Sequence, residues 1–423
     1  AQPTLGRTST GTVALAHNGN LTNTADLLDL LKARYPNQGT NEITGGNTTD
    51  TAVLTALLAG DQDHSLEATA LELLPKVKGA FCLVFMDEQT LYAARDPQGV
   101  RPLVLGRLER GWVVASETAA LDIVGASLVR EVEPGELIAI DENGLRSTRF
   151  AEIKRAGCVF EYVYLARPDT SINGKNVYEA RVEMGRQLAR EYPVEADLVI
   201  PTPESGTPAA IGFSEQSGIP FGHGLVKNSY VGRTFIQPSQ TIRQRGIRLK
   251  LNPLREVIRG KRIIVIDDSI VRGNTQRALV QMLREAGAAE IHVRISSPPI
   301  TWPCFYGIDF ATRAELIATG LGVDDVRACE VDAPGNAVKQ ARMVGCDHRH
   351  QRGPARRIVF GVDRQRLVDV DRRPLGHVVA DGHAAAGGGQ RLRERHALDG
   401  SRRRRRRPDR RSPARNRNRA GRH

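Results

Sequence analysis

The sequence has no long hydrophobic run. Within its 423 residues, no apolar stretch approaches the roughly 18 residues that a membrane-spanning helix needs. The opening residues AQPTLGRTST also lack the basic segment and apolar core of a secretory signal peptide. These absences predict a cytoplasmic protein that has no membrane partner. Since the first residue is Ala1 rather than Met, we expect a natural N-terminus upstream of the printed sequence.

Cysteine is scarce as well. The five cysteines are odd in number and widely spaced, and no two of them form a C-x-x-C pair. This pattern argues against the disulfide framework of a small secreted protein. The roles that remain open for these cysteines are reduced thiols and ligands of a metal cluster. The five are Cys82, Cys158, Cys304, Cys329 and Cys346.

The net positive charge is confined to the C-terminal end of the sequence. The net charge is +12, but residues 329–423 carry +15 and residues 1–328 carry −3. The segment 329–423 has 24 arginines, one lysine and no apolar period of 2 or 3.6. A basic arm that binds nucleic acid is one interpretation. We favour a frameshifted or otherwise non-native segment that is disordered, because the composition changes abruptly and local patterning vanishes.

The first 150 residues alternate short strands with two helices, which is typical of an α+β domain. The stretch TVALAHNGN predicts a strand that ends in a polar turn, and TADLLDLLKARY predicts a helix with Thr24 as a possible N-cap. Two stretches predict hairpins, AFCLVFMDEQTLYAARD and ELIAIDENGLRSTRF. The second turns at Asn143-Gly144, a dipeptide that accepts positive φ at both residues.

From about Val194 the pattern changes to an alternation of strand, loop, helix and strand. The strands ADLVIP and RIIVID each lead through a small polar loop into a helix. In the helix QRALVQMLREAGA, the apolar residues Leu279, Met282, Leu283 and Ala286 fall on one face. This alternation predicts βαβ units on a parallel sheet, with both loops at the carboxyl ends of the strands, where such sheets bind ligands.

Two adjacent carboxylates end one of these strands. Burying Asp267 and Asp268 side by side would cost several kcal/mol unless hydroxyl groups or a cation received them. The following segment Ser269–Thr275 offers backbone N–H groups, a glycine, hydroxyls and a helix N-terminus, which together suit a phosphate. The pattern therefore predicts a ribose 5-phosphate site. The alternative is an ordinary turn in which the aspartates cap the helix.

Several ordered stretches extend this pattern into a family resemblance. The stretch IIVIDDSIVRGNT resembles the phosphoribosyl pyrophosphate motif of phosphoribosyltransferases, in the form found in the amidophosphoribosyltransferase family. The resemblance runs from Ala1 to about Ala328 and implies a remnant of an Ntn-type glutaminase domain at 1–150, followed by a type I phosphoribosyltransferase domain at 151–328. It also includes FEYVYLARPDT, PESGTPAAIGFSEQSGIP, KNSYVGRTFIQPSQ, CFYGIDFATRAELIA, AHNGNLTN, TTDTAVL and RDPQGVRPL.

The resemblance implies roles for the second half. Asp267 and Asp268 would hold the ribose hydroxyls and help to bind Mg²⁺, with Ser205 completing the metal and pyrophosphate site. Lys227 and Arg233 would neutralise the pyrophosphate, although either alone would more simply be a solvated surface charge. The 5-phosphate would bind the loop of Ser269, Ile270, Val271, Arg272, Gly273, Asn274 and Thr275.

In the first half, the resemblance assigns an oxyanion hole to Asn18 and Gly19. It assigns binding of the glutamine amino group to Asp50. The alternatives are a β-turn at NGN and a helix N-cap at Asp50. The N-terminal cysteine nucleophile of the family has no counterpart in the printed chain, and neither does the arginine for the glutamine carboxylate. Cys82 is no substitute, because burial in AFCLVF would raise the pKa of its thiol, so we expect no glutaminase activity.

Two cysteines match part of a cluster site. Cys158 and Cys304 match two of the four ligands of the 4Fe-4S cluster found in one branch of the family, although small buried residues are the alternative. Cys329 and Cys346 are spaced wrongly to supply the other two. We therefore expect no stable cluster on this chain.

The intact enzyme implied by the resemblance takes ammonia from glutamine and places it on phosphoribosyl pyrophosphate, giving 5-phosphoribosylamine for purine synthesis. Purine nucleotides as feedback ligands and a homo-oligomer are the expected partners, and nucleic acid is not. The alternative is a non-catalytic protein that binds phosphoribosyl pyrophosphate and uses its basic tail on nucleic acid.

Overall fold

The computed structural model describes residues 2–9, 11–36, 48–228, 250–308, 312–319 and 340–343. All of them lie in one unit of the chain. The strands are β1 (Thr4–Arg7), β2 (Thr12–Leu21), β3 (Gly79–Met86), β4 (Leu91–Arg95), β5 (Val104–Leu108), β6 (Gly111–Ala115), β7 (Ser127–Glu131), β8 (Glu136–Asp141), β9 (Gly144–Arg149), β10 (Ser171–Ile172), β11 (Lys175–Asn176), β12 (Leu198–Pro201), β13 (Leu225–Lys227), β14 (Leu251–Pro253), β15 (Arg262–Asp267), β16 (Glu290–Ile295) and β17 (Gln340–Met343).

The helices of the described residues fall between these strands. They are α1 (Thr24–Arg34), α2 (Asp50–Gly60), α3 (Leu66–Leu73), α4 (Thr118–Val124), α5 (Val177–Glu191), α6 (Thr207–Ser217), α7 (Arg255–Ile258) and α8 (Asn274–Glu285). A π-helical turn covers Glu161–Leu165.

A six-stranded antiparallel sheet organises the first half, in the order β1-β2-β3-β4-β8-β9. One face packs on α1, α2 and α3, where Leu83 and Phe85 of β3 join the helical residues Leu31 and Leu54 in one apolar core. The other face packs on the three-stranded sheet β6-β5-β7, where Cys82 contributes to a second core. Alternate residues of β3 thus enter two different cores, as the period of a strand requires.

The second half contains the predicted parallel sheet. Its order is β12-β15-β16-β17, and all three pairings are parallel. Ile264 and Ile266 of β15 pack among residues of α5 and α6, whereas Ile263 and Val265 pack with residues of α8. The central strand is therefore covered by helices on both faces, which explains its continuous apolar run.

Several local predictions are confirmed, and others are wrong. Both hairpins form, as β3-β4 and β8-β9. Gly144 has a φ of +106°, but Asn143 is not among the positive-φ residues of the described chain; its N–H donates to Oδ1 of Asp141 over 2.8 Å. The prediction of Thr24 as an N-cap is wrong, because Thr24 is the first residue of α1 and Asn23 is the N-cap. The side-chain amide of Asn23 does not cap the helix; it donates to the backbone carbonyl of Lys76 and accepts from the backbone N–H of Lys78. Four α-helices, not two, lie among the described residues of the first half.

Four residues of the segment predicted to be disordered are described, and they form β17. The other residues of 329–423 lie outside the described residues, so disorder of this segment stays a prediction. In the described part of the chain, no helix is both long enough and apolar enough to span a membrane.

Helices α5 and α6 pack closely at Gly185, which has no side chain to keep them apart. A Cβ added at Gly185 would overlap the carbonyl oxygen of Ala209, so neither backbone can give way without separating the helices. We expect Gly185→Ala to lower the free energy of unfolding by about 1–3 kcal/mol, the usual cost of overpacking. Chemical denaturation measures this change. Gly111→Ala is the control, since a Cβ there meets nothing within 4 Å, and an equal loss in both variants would contradict the packing argument.

Candidate functional site

The acidic pair lies at the carboxyl edge of the parallel sheet. Asp267 is the last residue of β15 and Asp268 follows it, and each is only 6% exposed. The neighbouring strand β16 ends at the same edge, where the N–H groups of Ser296 and Ser297 donate to the carbonyl oxygens of Asp267 and Asp268 over 3.0 and 2.9 Å. Main-chain hydrogen bonds therefore continue past the end of β16 and join the two segments that follow β15 and β16 at this edge.

Each carboxylate has its own donors. Oδ1 of Asp268 accepts from the hydroxyl of Ser205 over 2.6 Å, and Oδ2 accepts from the hydroxyl of Ser269 over 2.7 Å. Oδ1 of Asp267 accepts from the backbone N–H of Asp268 over 2.9 Å, and Oδ2 accepts from the side chain of Gln276. The structure therefore brings Ser205, from the loop after β12, directly to the acidic pair, as the sequence predicted.

Burial and charge act together on Asp267. Loss of solvent raises the pKa of its carboxyl well above the usual value, and the neighbouring charge of Asp268 raises it further. The protein thus holds a like-charged, desolvated pair at a sheet edge. Such a pair favours a ligand that brings hydroxyl groups or a divalent cation.

The loop after the pair leads directly into a helix. Gly273 is the N-cap of α8, with a φ of +75° and no side-chain cap. The alternative in which the aspartates cap this helix is therefore wrong, since their oxygens face the serines and Gln276. Gly273 also lies against Ile317, whose N–H donates to the carbonyl of Val271 over 3.0 Å.

The other loop residues differ in their surroundings. Ile270 is buried in the apolar core, and Arg272 reaches Glu315 with 3.5 Å between Nη2 and Oε2. Asn274 and Thr275 form the first turn of α8. Five of the seven predicted residues thus lie between β15 and α8, and the other two begin the helix.

Lys227 also approaches this edge. It ends β13, and its Nζ lies 3.3 Å from Oε2 of Glu204, the residue before Ser205. The ammonium group is partly exposed, so the surface-charge alternative stays open. Arg233 lies outside the described residues.

Asn18 and Gly19 belong to a strand rather than to a turn. Strand β2 continues through Leu21, and Asn18 pairs with Cys82 while Gly19 pairs with Phe81. The β-turn alternative is therefore wrong. Gly19 has a φ of +146°, a conformation that L side chains rarely adopt, and the Asn18 amide donates to the hydroxyl of Ser116 over 3.2 Å.

Asp50 faces the same strand. The N-cap of α2 is Thr49, so the N-cap alternative for Asp50 is wrong. Oδ2 of Asp50 accepts from the N–H of Leu21 over 3.2 Å and lies 3.5 Å from Nδ1 of His17. Burial acts to raise the pKa of Asp50, but the hydrogen bonds from His17 and from the backbone lower it overall. The carboxylate is thus held ionised beside Asn18 and Gly19.

The sequence reasoning missed three residues at these sites. His17 precedes NGN and contacts Asp50, and Gln276 contacts Asp267. Arg181 of α5 is buried and donates to the carbonyls of Tyr162 and Ala166 over 2.6 and 2.8 Å. Burial lowers the pKa of Arg181, and the charge of Asp268 opposes that effect. Gln276 and Arg181 fall on ordinary helical patterns, so only His17, beside a quoted motif, gave any signal.

Two contacts join the first and second halves of the described chain. The Asn20 amide donates to the carbonyl of Phe305 over 2.9 Å, so the strand of Asn18 touches the segment between β16 and β17. Arg101 and Glu161 form a buried ion pair with Nη1 and Oε1 2.7 Å apart. The two halves therefore contact each other through side chains on both sides.

The described cysteines fall into two environments. Cys82 is 3% exposed, and burial raises the pKa of its thiol, as the sequence predicted. Burial also raises the pKa of Cys158, and the charge of Cys304 adds to that effect. The described residues contain no group of three or more potential metal ligands. Cys329 and Cys346 lie outside the described residues, so the absence of a cluster stays a prediction.

The raised pKa of Asp267 generates a stability prediction. The folded protein binds a proton at the Asp267 carboxyl more tightly than the unfolded chain does. The free energy of unfolding therefore falls as the pH rises from the usual pKa of 3.8 to the raised pKa. Asp267→Asn removes the repulsion, so it should raise the thermal midpoint at pH 8 more than at pH 5, by about 2–4 °C per kcal/mol relieved. Calorimetric unfolding at the two pH values measures this.

Asp141→Asn is the control for that experiment. The hydrogen bond from Arg146 lowers the pKa of Asp141, so its substitution should leave the midpoint unchanged or lower it. A lower midpoint for Asp267→Asn at pH 8 would contradict the burial of a repelling pair.

Comparisons with known proteins agree with this arrangement. A family model described as "Glutamine amidotransferase domain" matches residues 1–122. The amidophosphoribosyltransferase of Mycobacterium bovis is 69% identical over 327 residues, which cover 77% of this chain and 62% of that protein. The chain thus spans less than two thirds of the length of this relative. The length of the alignment, 327 residues, is close to that of the segment 1–328, in which the family motifs occur.

Other relatives are covered more completely. The amidophosphoribosyltransferase of Synechocystis is 51% identical over 341 residues, covering 79% of this chain and 68% of the relative. A solved structure of glutamine phosphoribosylpyrophosphate amidotransferase from B. subtilis, complexed with ADP and GMP, is 49% identical. The structural match covers 78% of this chain and 71% of the chain in the solved structure, with a TM-score of 0.70. The chain belongs to the amidophosphoribosyltransferase family.

Proposed function

We propose that the protein places ammonia on phosphoribosyl pyrophosphate, releasing pyrophosphate and giving 5-phosphoribosylamine, the first step of purine synthesis. The family derives this ammonia from glutamine, and we keep the expectation that the residues printed here do not release it themselves. The observation that carries this proposal is the buried Asp267–Asp268 pair, followed at once by a loop and a helix N-terminus. The two carboxylates would accept hydrogen bonds from the ribose hydroxyls, and the loop would receive the 5-phosphate.

The oxygen donors of the site fit Mg²⁺. This ion prefers oxygen ligands and is commonly held by one or two carboxylates together with substrate phosphates. Asp267, Asp268 and the hydroxyl of Ser205 would supply such oxygens, and the ion would neutralise charge on the departing pyrophosphate. We assign neutralisation of the pyrophosphate also to Lys227, whose Nζ lies 3.3 Å from Oε2 of Glu204, and to Arg233.

The 5-phosphate would bind the residues Ser269 to Thr275. Successive N–H groups and the positive end of the α8 dipole favour an anion there. Gly273 provides the close approach, and the hydroxyl of Thr275 adds a donor in the first helical turn. As the bond from C1 of the ribose to pyrophosphate breaks, the fixed carboxylates and phosphate contacts keep C1 in place for ammonia.

We assign the ammonia-producing site to residues 1–150 and the transferase site to residues 151–328. In the first, Asn18 and Gly19 would stabilise the oxyanion formed from the glutamine amide. The ionised Asp50 would bind the amino group of glutamine, and His17 holds that carboxylate. Apart from the strand β17, we propose that the segment 329–423 is a tail without a role in either site.

Partners follow from the family. The relative from B. subtilis is complexed with ADP and GMP, and we propose that purine nucleotides bind this protein and regulate it, and that it forms a homo-oligomer. Cys158 and Cys304 would supply only two of the four thiolates that a 4Fe-4S cluster needs, so we propose no stable cluster on this chain. The alternative of a non-catalytic protein with a nucleic-acid-binding tail is not favoured by these relatives.

Ligand binding tests the proposal. Calorimetry with phosphoribosyl pyrophosphate and Mg²⁺ should show binding to the full chain, and Asp267→Asn with Asp268→Asn should abolish it, a loss of about 100-fold or more. The control is Asp26→Asn with Asp29→Asn, which changes two exposed aspartates of α1 and should bind as the unsubstituted chain does. Unchanged affinity in the Asp267/Asp268 variant would refute the assignment.

A further inference from the structure

One inward position of helix α8 is polar. Gln276 is 3% exposed, whereas the other buried residues of this helix are apolar, namely Leu279, Val280, Met282 and Leu283. A buried carboxamide is costly unless both its oxygen and its NH₂ group find partners. Packing alone therefore does not account for a glutamine at this position.

The acidic pair orients this carboxamide. Nε2 of Gln276 donates to Oδ2 of Asp267, while the other oxygen of that carboxylate accepts from the backbone N–H of Asp268. Oε1 of Gln276 is buried and has no hydrogen-bond partner among the described residues. The side chain thus leaves its acceptor unused while its donor faces Asp267.

The carboxylates of the pair are held by different kinds of group. Two hydroxyls, from Ser205 and Ser269, hold Asp268. Both serines belong to loops, whereas Gln276 belongs to a packed helix. The carboxylate of Asp267 is therefore fixed by the more rigid element, against repulsion from Asp268.

We propose that Gln276 is a positioning residue for the phosphoribosyl pyrophosphate site, a role that rests on the function proposed above. Its amide fixes the plane of the Asp267 carboxylate, so that the pair is already arranged for the ribose hydroxyls before the ligand arrives. A site whose groups are fixed in advance loses less freedom on binding and binds more tightly.

Gln276→Met tests this role, because it keeps the volume of the side chain and removes the donor. Calorimetry of the full 423-residue chain with phosphoribosyl pyrophosphate and Mg²⁺ should give an affinity about 10- to 100-fold weaker, as expected for one hydrogen bond to a charged group. The thermal unfolding midpoint should change little, because the variant removes the unsatisfied oxygen of Gln276 but also leaves Oδ2 of Asp267 without this donor. Gln276→Glu should weaken binding further by adding a third carboxylate.

Gln281→Met is the matched control. Gln281 lies on the exposed face of the same helix and donates to Glu285 over 3.0 Å, so its substitution should leave the affinity unchanged. Equal affinity in Gln276→Met and the unsubstituted chain would overturn the positioning role and leave the proposed function standing. Weaker binding together with a lower midpoint would also overturn it, because the residue would then act through folding. No binding by the unsubstituted chain would overturn the proposed function and this role with it.

Discussion

Two carboxylates that repel each other in a desolvated position set the main constraint on the second half of the protein. Asp267 and Asp268 can lie together only because donors from several elements converge on them: the loop after β12, the turn before α8 and the first turn of α8 itself. The parallel sheet is what brings these elements to one edge. Stability is given up there for a site that a cation or hydroxyl groups can complete.

The first half shows a related arrangement around a single charge. Asp50 is held ionised by His17 and by backbone N–H groups, next to a strand in which Gly19 adopts a conformation that suits glycine. The strand also contacts the segment between β16 and β17 through Asn20 and Phe305. Both candidate sites are therefore built on main-chain geometry that sheets fix.

Much of this could be predicted from the sequence, since the apolar run of β15 and the one-sided helix α8 follow simple periods. The strand through Asn18 and Gly19 was missed because asparagine and glycine favour turns, whereas here pairing with β3 decides the backbone. Helix α2 was missed because residues 51–60 are buried on every side, which leaves no amphipathic period to read. The role of Gln276 depends on a contact across the fold, which helical spacing does not reveal.

The most direct measurement is a crystal structure of the chain with phosphoribosyl pyrophosphate and Mg²⁺ bound. The account predicts the two ribose hydroxyls at hydrogen-bond distance, about 2.5–3.0 Å, from the carboxylates of Asp267 and Asp268. It also predicts the 5-phosphate against the turn from Ser269 to Thr275, with the Asp267 carboxylate unmoved. A ligand bound elsewhere, or in this turn with its hydroxyls directed away from both carboxylates, would contradict it.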